Sequence, residues 1–383
     1  MAASPGIDTT TAPGRPKAWL ASRWERLNGP QRVAGVDLAR GLAVIGMVAA
    51  HLLWIGDFEV ADAATWVAVV DGRSSILFAT LAGVSIGLVT GGTRPLAPIE
   101  MRVARHRLAV RAGMLWLIGI WLIATGVPVF VILPAYAVLF LLALPLVSLG
   151  PRTLLLIAGS LAVLMPLIQV PLDDLSLWRT QSGDLLSAAI GWHYPFPVWI
   201  AFVVAGLAVA RAGILRTRVQ VWMLAAGTAL AILGYGLDAA SGPNADPVRP
   251  TFWEAVWTAE PHSSGVLEVI GSGGFAIAVI GLCVLACRTF LTWVVLPLRA
   301  VGAMPLTAYT AQILFWALAS FALLGTTRDL RGFRDLEPFL PMTVCLGLAC
   351  TAWALLVGRG PLEWLVDRVA KLAVPRGVDR LSR

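Results

Sequence analysis

"DLARGLAVIGMVAAHLLW", residues 37–54, has most of what a membrane span needs, yet it carries an aspartate, an arginine and a histidine. At 3.6 residues per turn, Asp37, Arg40, Val44, Met47 or Val48, and His51 fall on one side of a helix, so the ionisable groups share a stripe. A charge at the bilayer centre costs about 2.5–3.5 kcal/mol on insertion scales, and such residues therefore face the protein interior or a wet cavity. The stripe predicts that this opening helix borders a hydrated passage through a bundle. Asp37 and Arg40, at i and i+3, can pair near one mouth, while His51 stands about 16 Å further along at 1.5 Å per residue. The plainer alternative is an ion pair that fixes the span at the interface, with a neutral histidine bonded inside the bundle.

The rest of the chain has the same character. Its 383 residues are 58% hydrophobic and 13% charged, with mean hydropathy +0.80, against an apolar share of about 45–50% in soluble domains. A helix crosses the hydrocarbon core with about 20 apolar residues. Ten such stretches recur, at 36–56, 68–91, 106–126, 129–149, 153–171, 195–212, 219–237, 264–287, 300–324 and 339–358. The expected fold is all-α: a polytopic membrane helix bundle of about ten transmembrane helices. Pro128, Pro134 and Pro145 are expected to bend or split the fourth span, and 290–298 reads as a short interfacial segment. Residues 1–31 read as a disordered basic tail without the apolar core of a secretory signal, 32–365 as the membrane domain, and 366–383 as a second basic tail.

The basic residues alternate by loop. Of the 29 Lys and Arg residues, 22 fall on the side of the N-terminus, five on the other (Arg179, Arg249, Arg328, Arg331 and Arg334), and Arg40 and Arg73 lie in spans. Of the 22 acidic residues, 13 lie in the loops opposite the N-terminus. The positive-inside rule then predicts both termini in the cytoplasm and a multi-pass protein of the cell inner membrane. The net charge of +7 is accounted for by topology and contact with an anionic lipid bilayer, and nucleic-acid binding is not expected. All four cysteines fall within the expected spans without histidine or carboxylate at ligand spacing, so no metal site is expected.

The second span, "WVAVVDGRSSILFATLAGVSIGLVTGG" (66–92), brings Asp71, Arg73, Ser74 and Ser75 in at the depth of His51. An acid, a base and a histidine at one depth on antiparallel helices can form a charge-coupled site in which Asp71 orients the His51 imidazole; a surface Asp71/Arg73 cap is the alternative. Ala79, Gly83, Gly87 and Gly91 recur every four residues as a ridge for close helix packing. His193 and His262 fall on the same side as His51, and Glu268 lies six residues after His262, inside a span where it needs a partner. His106 sits in the basic turn "RVARHRLAVR", where a solvated charge is expected. No GxGxxG before a helix, Walker loop, HExxH or GxSxG is present, and "GSGGF" (271–275) lies inside a span, where it reads as packing.

Four segments carry a resemblance: "RVAGVDLARGLAVIGMVAAHLL" (32–53), "HYPFPVWIAFVVAGLAVAR" (193–211), "AVGAMPLTAYTAQILF" (300–315) and "GRGPLEWL" (358–365). Together they resemble the bacterial YeiB-like membrane proteins, and the opening resembles the catalytic domain of heparan-alpha-glucosaminide N-acetyltransferase. The resemblance implies a multi-span fold that takes an acyl group, such as acetyl, from cytoplasmic acyl-CoA to an acceptor across the membrane, often a sugar amine or hydroxyl. It also implies an active histidine in the loop after the first span. Here that loop, "GDFEVADAAT" (56–65), has none and His51 is the nearest; Asp71 matches the acid of the family's second span.

The site expected on this reading has His51 as general base, Asp71 as its orienter and Arg73 as a cation near developing negative charge. Asp37, Arg40, His193, His262, Glu268 and Gln312 are the candidate substrate-binding residues, with Arg40 near a phosphate of CoA. The expected partners are the bilayer, acyl-CoA and a saccharide or envelope acceptor, with homo-oligomerisation open. Two other classes use the same sequence: a transporter with these residues as a proton or substrate relay, against which no internal symmetry is visible, and a non-catalytic scaffold of an envelope-synthesis complex.

Overall fold

Each of the ten expected apolar segments forms helix in the computed structural model, which describes residues 25, 27–29, 32–59, 61–242 and 250–375. Most of the expected N-terminal tail, and residues 376–383 of the C-terminal one, lie outside the described residues. In order, the elements are α1 (Ala34–Leu52), α2 (Arg73–Val89), α3 (Pro98–Ile123), α4 (Leu133–Ala143), α5 (Pro151–Asp173), α6 (Gln181–Ile190), α7 (Phe196–Ala212) and α8 (Thr217–Ser241). They are followed by α9 (Phe252–Val256), α10 (Val266–Ala286), α11 (Leu291–Val294), α12 (Leu296–Ala303), α13 (Pro305–Leu324), α14 (Leu330–Asp335), α15 (Phe339–Leu356) and α16 (Pro361–Ala373). The described residues contain no strand.

Seven of these helices are long and apolar enough to cross a membrane. The short helix Ala63–Val70 and α2 meet at 40° and together make an eighth, and Leu133–Ser148 and Phe196–Ala212 are shorter apolar segments. The prolines act where their geometry dictates. Pro134 opens α4, where its missing N–H has no helical partner to lose, so it starts that helix instead of bending it. Pro145 sits where the segment tightens into a 3-10 turn over Leu144–Ser148. The segment 290–298, expected to be interfacial, forms α11, a single turn, and the start of α12.

Side-chain bonds sort the helix ends into two faces. On one, Arg211 reaches Gly87, Thr90, Gly92 and Val147, Arg299 reaches Leu27 and Asn28, and Arg107 reaches Val374. On the other, Arg334 reaches His51, Tyr194 reaches Phe130 and Asp71 faces His262. They are called here the basic face and the histidine face.

Packing uses small residues at helix crossings. A Cβ added to Gly83 would stand 1.9 Å from the Val203 carbonyl oxygen, and one on Gly206 1.9 Å from that of Thr80, so α2 and α7 meet backbone to backbone through both glycines. Gly87 continues that ridge, whereas Gly91 (φ +111°) belongs to the turn after α2. On the basic face α16 is amphipathic: Trp364, Leu365 and Leu372 are exposed, while Asp367 accepts from Arg111, Arg359 and Lys371. That pattern suits a helix lying in the interface; it runs through the boundary expected at residue 365.

Candidate functional site

The stripe on α1 ends in two separate cavities, one on each face. The basic-face cavity, about 1030 Å³, is lined by Leu27, Asn28, Arg32, Asp37, Arg40, Ser85, Ala303 and Arg359 among others. Asp37 lies near the start of α1 and is buried. Its Oδ2 accepts from Arg32 at 3.0 Å, its Oδ1 from Arg40 at 3.1 Å, and Arg40 also donates to Ser85 Oγ at 2.6 Å. Arg299, itself 1% exposed, holds the wall made by residues 27–28 through the Leu27 carbonyl and Asn28 Oδ1. Arg359 pairs on its other side with Asp367, whose carboxyl burial would raise; the bonds from Lys371, Arg359 and Arg111 outweigh this and hold it below the usual carboxylate range. The three cavity arginines, Arg32, Arg40 and Arg359, exceed its two carboxylates, Glu25 and Asp37, so the cavity presents net positive charge.

The histidine-face cavity, about 210 Å³, is lined by Met47, His51, Asp71, Ser74, Ser75, Phe130, Tyr194, His262 and Arg334 among others. Between the two, Ala43 and Val44 are fully buried, and from Arg40 to Met47 the helix rises about 10 Å at 1.5 Å per residue. The continuous wet passage expected along α1 is therefore not present; the stripe serves two vestibules with an apolar layer between them. Lipid contact is not its reason, since Asp37, Arg40 and His51 each line a cavity.

Within the histidine-face cavity the pairing differs from the one expected. Asp71, at the break before α2, faces His262 with Oδ1 3.4 Å from Nε2, not His51. Burial pulls the His262 imidazole down, but the hydrogen bond to Asp71 and the negative charges of Glu268 and Asp71 outweigh it, and its pKa stands above the ordinary value. With Nε2 committed to the carboxylate, Nδ1 is the nitrogen left to accept a proton. His51, at the end of α1, has its ring 6.3 Å from that of Trp316, and its carbonyl accepts Arg334 Nε at 2.9 Å. The Arg334 guanidinium also lies 5.1 Å from the centre of the Trp54 ring, an arrangement that holds a cation in place. Its two terminal nitrogens have no hydrogen-bond partner among the described residues.

The remaining expected residues fall elsewhere. Arg73 turns away from the cavity to Tyr235 Oη at 2.7 Å and the Ala68 carbonyl at 3.2 Å, because α2 begins there and its first side chain points back toward α8. The arginine that lines the cavity is Arg334. His193 is exposed at the rim, stacked on Phe130 with ring centres 3.5 Å apart. Partial desolvation of its ring and the neighbouring His262 lower its pKa. Glu268 is buried and bonds the loop that carries His262, without lining the cavity. Gln312 lines a third, apolar cavity of about 230 Å³ with Val48, Phe315, Met342 and Cys345. Among the described residues no group of three or more His, Cys, Asp and Glu could hold a metal.

Arg334, Tyr194 and Phe130 are the site residues that sequence reasoning passed over. For Arg334 a signal existed: "RDLRGFR" (328–334) puts three arginines on the face that the charge pattern otherwise leaves poor in them. A basic cluster against the topological trend needs a local reason, and facing a cavity is one.

The chain was also compared with known proteins. No curated protein matches it. A family model described as heparan-alpha-glucosaminide N-acetyltransferase, catalytic, matches residues 32–236, which takes in α1 to most of α8, with His51, Asp71 and Tyr194, while His262 and Arg334 lie beyond it. That match covers more than half of the 383 residues, and the chain belongs to the family of heparan-alpha-glucosaminide N-acetyltransferase catalytic domains.

Proposed function

We propose that this protein is an acyltransferase of the cell inner membrane that moves an acyl group, acetyl being the simplest, from cytoplasmic acyl-CoA to an amine or hydroxyl of a saccharide or other envelope acceptor outside. The observation that carries the reading is the Asp71–His262 pair facing one cavity with Arg334 and His51, opposite an arginine-lined cavity on the other face.

The donor fits the basic face. Its phosphates need cations and its nucleotide needs room, and Arg32, Arg40 and Arg359 border about 1030 Å³. Asp37 keeps two of these guanidinium groups in place by accepting from both. Arg40→Gln is expected to raise the KM for acyl-CoA about tenfold or more, the worth of a charge-assisted bond, with kcat little changed. Steady-state kinetics with varied acyl-CoA reads this, and an unchanged KM would remove Arg40 from the donor site.

At the histidine face, His262 Nδ1 takes the proton of the acceptor amine or hydroxyl as its nitrogen or oxygen bonds to the thioester carbonyl carbon. The carbonyl becomes an oxyanion, against which the free terminal nitrogens of Arg334 are suited to donate. The oxyanion then re-forms the carbonyl, the carbon–sulfur bond breaks, and the imidazolium returns its proton to the departing thiolate. For the thioester to meet His262 the layer at Ala43 and Val44 must part, so opening of that layer is a step of the cycle.

His262 works as a base only when neutral, and its raised pKa puts the acidic limb of the pH–rate profile above that of an ordinary imidazole. Asp71→Asn removes the charge and replaces the charge-assisted bond with at most a neutral amide acceptor, leaving the Glu268 charge alone to raise it. The limb is then expected to move to lower pH while the maximal rate falls, and a limb that stays where it was would unseat His262.

The test of the reading itself is turnover by the purified protein in liposomes with labelled acyl-CoA and amine or hydroxyl acceptors. Release of CoA that depends on the acceptor supports it. Uptake of solute independent of acyl-CoA would favour transport, and no CoA release with any acceptor would refute the enzyme.

A further inference from the structure

The loop that bears His262 has an unusual backbone. His262 and Ser264 have φ of +66° and +58°, and among the described residues only Glu337 shares this left-handed region without being glycine. Such residues persist only where their surroundings over-determine them. Here the surroundings converge on one side chain. Glu268 Oε1 accepts the His262 N–H at 2.7 Å, and Oε2 accepts the Ser264 N–H at 2.6 Å and the Ser263 hydroxyl at 3.3 Å.

The same residue closes the loop from the other end, because its own N–H donates to the Thr258 carbonyl at 2.9 Å. It also touches the ground on which Asp71 stands: a Cβ on the adjacent Gly72, itself at φ +64°, would lie 3.5 Å from Glu268 Oε1. Glu268 is 3% exposed, and no lysine or arginine pairs with it among the described residues. Three donors aimed at a group that only accepts explain a carboxylate in this place; an amide would turn N–H against N–H.

We propose that Glu268 is a positioning residue that sets His262 against Asp71 through the backbone of residues 262–264. The proposal rests on His262 being the base, but the geometry it describes is measurable without turnover. With four histidines in the chain, NMR of histidine-labelled protein in detergent, assigned with a His262→Gln variant, follows the His262 titration directly. The groups around that imidazole are Asp71 at the break before α2, Glu268 on α10, His51 on α1, Arg334 on α14, and His193 and Tyr194 before α7.

Loss of the Glu268 charge alone shifts the titration, so the informative quantity is a double-mutant cycle. In the wild type, Asp71→Asn is expected to lower the His262 titration by about 1 pH unit, the lower end for loss of a neighbouring opposite charge. In a Glu268→Gln background the same change is expected to do almost nothing, because the pair is already apart. Glu268→Asp, which keeps the charge and shortens the reach, gives the same decoupling. Equal shifts in all backgrounds would overturn the positioning role, as would variants that fail to fold, since Glu268 would then serve stability. Where turnover is measurable, Glu268→Gln lowers kcat by about 10²-fold, the cost of a small misplacement of a reacting group, and leaves the KM for acyl-CoA unchanged.

Discussion

Replacement of His262 by alanine is expected to lower acyl transfer by about 10²–10⁴-fold, the range for loss of a positioned general base, with the KM for acyl-CoA unchanged. The proposed role falls to His262 and not to His51 because His262 has a carboxylate partner. Asp71 Oδ1 lies 3.4 Å from its Nε2, a contact that orients the ring and would support an imidazolium in the proposed transfer. His51 lines the same cavity, but its ring packs near Trp316 and its bonded group is its carbonyl, which holds Arg334. His51→Ala keeps that carbonyl, so its effect on rate should be much smaller. Single-turnover measurement of CoA release compares the two variants. A His51→Ala defect as large as that of His262→Ala would return the base to α1, and an unaffected His262→Ala enzyme would exclude the Asp71–His262 pair from the chemistry.

The second large effect concerns folding. Arg211 ends α7, is 3% exposed and has no carboxylate partner among the described residues; its guanidinium serves the carbonyls of Gly87, Thr90, Gly92 and Val147 and the Thr90 hydroxyl. Gly87 and Thr90 lie at the C-terminal end of α2, where carbonyls are left over and the helix dipole favours a cation. One side chain thus caps α2 and ties the end of the fourth span to it. The Gly87 and Thr90 carbonyls still accept from the Gly92 and Leu96 N–H groups, but Arg211→Ala takes the donor from the Gly92 and Val147 carbonyls, at about 1–3 kcal/mol each, and should destabilise the protein by roughly 2 kcal/mol or more. Thermal unfolding in detergent is expected to show a clear fall in midpoint, with Arg211→Lys between the two because an ammonium has fewer donors to share. A midpoint unchanged in Arg211→Ala would mean that these carbonyls find other donors.

The all-helical bundle was readable because its signal is long and redundant: each span repeats apolar residues over about 20 positions, and no tertiary detail alters that pattern. The ends of the stripe were readable for the same reason, since a charge inside a span demands a cavity, and Asp37, Arg40 and His51 do line cavities. What lies between them was not readable. Ala43 and Val44 suit a water-lined wall as well as a closed one in sequence; only the helices packed against them decide.

The pairing at the site was hidden by distance along the chain. Asp71 and His51 are 20 residues apart on consecutive helices, and that proximity favoured their pairing; the partner chosen, His262, lies 191 residues away in a loop whose path depends on the φ of two non-glycine residues and the bonds of Glu268. Arg73 misled for a local reason. One residue after the Gly72 break, the helix turn directs it to Tyr235, and a sequence does not reveal the azimuth at which a broken helix restarts.

The central claim is that donor and acceptor meet across the membrane, one cavity on each face. It is tested most directly in vesicles holding the protein in a single orientation, with an amine or hydroxyl acceptor sealed on the side of His262 and labelled acyl-CoA added on the side of Arg40. The account predicts labelled acceptor inside, CoA outside and no acyl-CoA in the lumen, with the product lost in His262→Ala. Product formed only when donor and acceptor share a compartment, or intact acyl-CoA carried through, would contradict it.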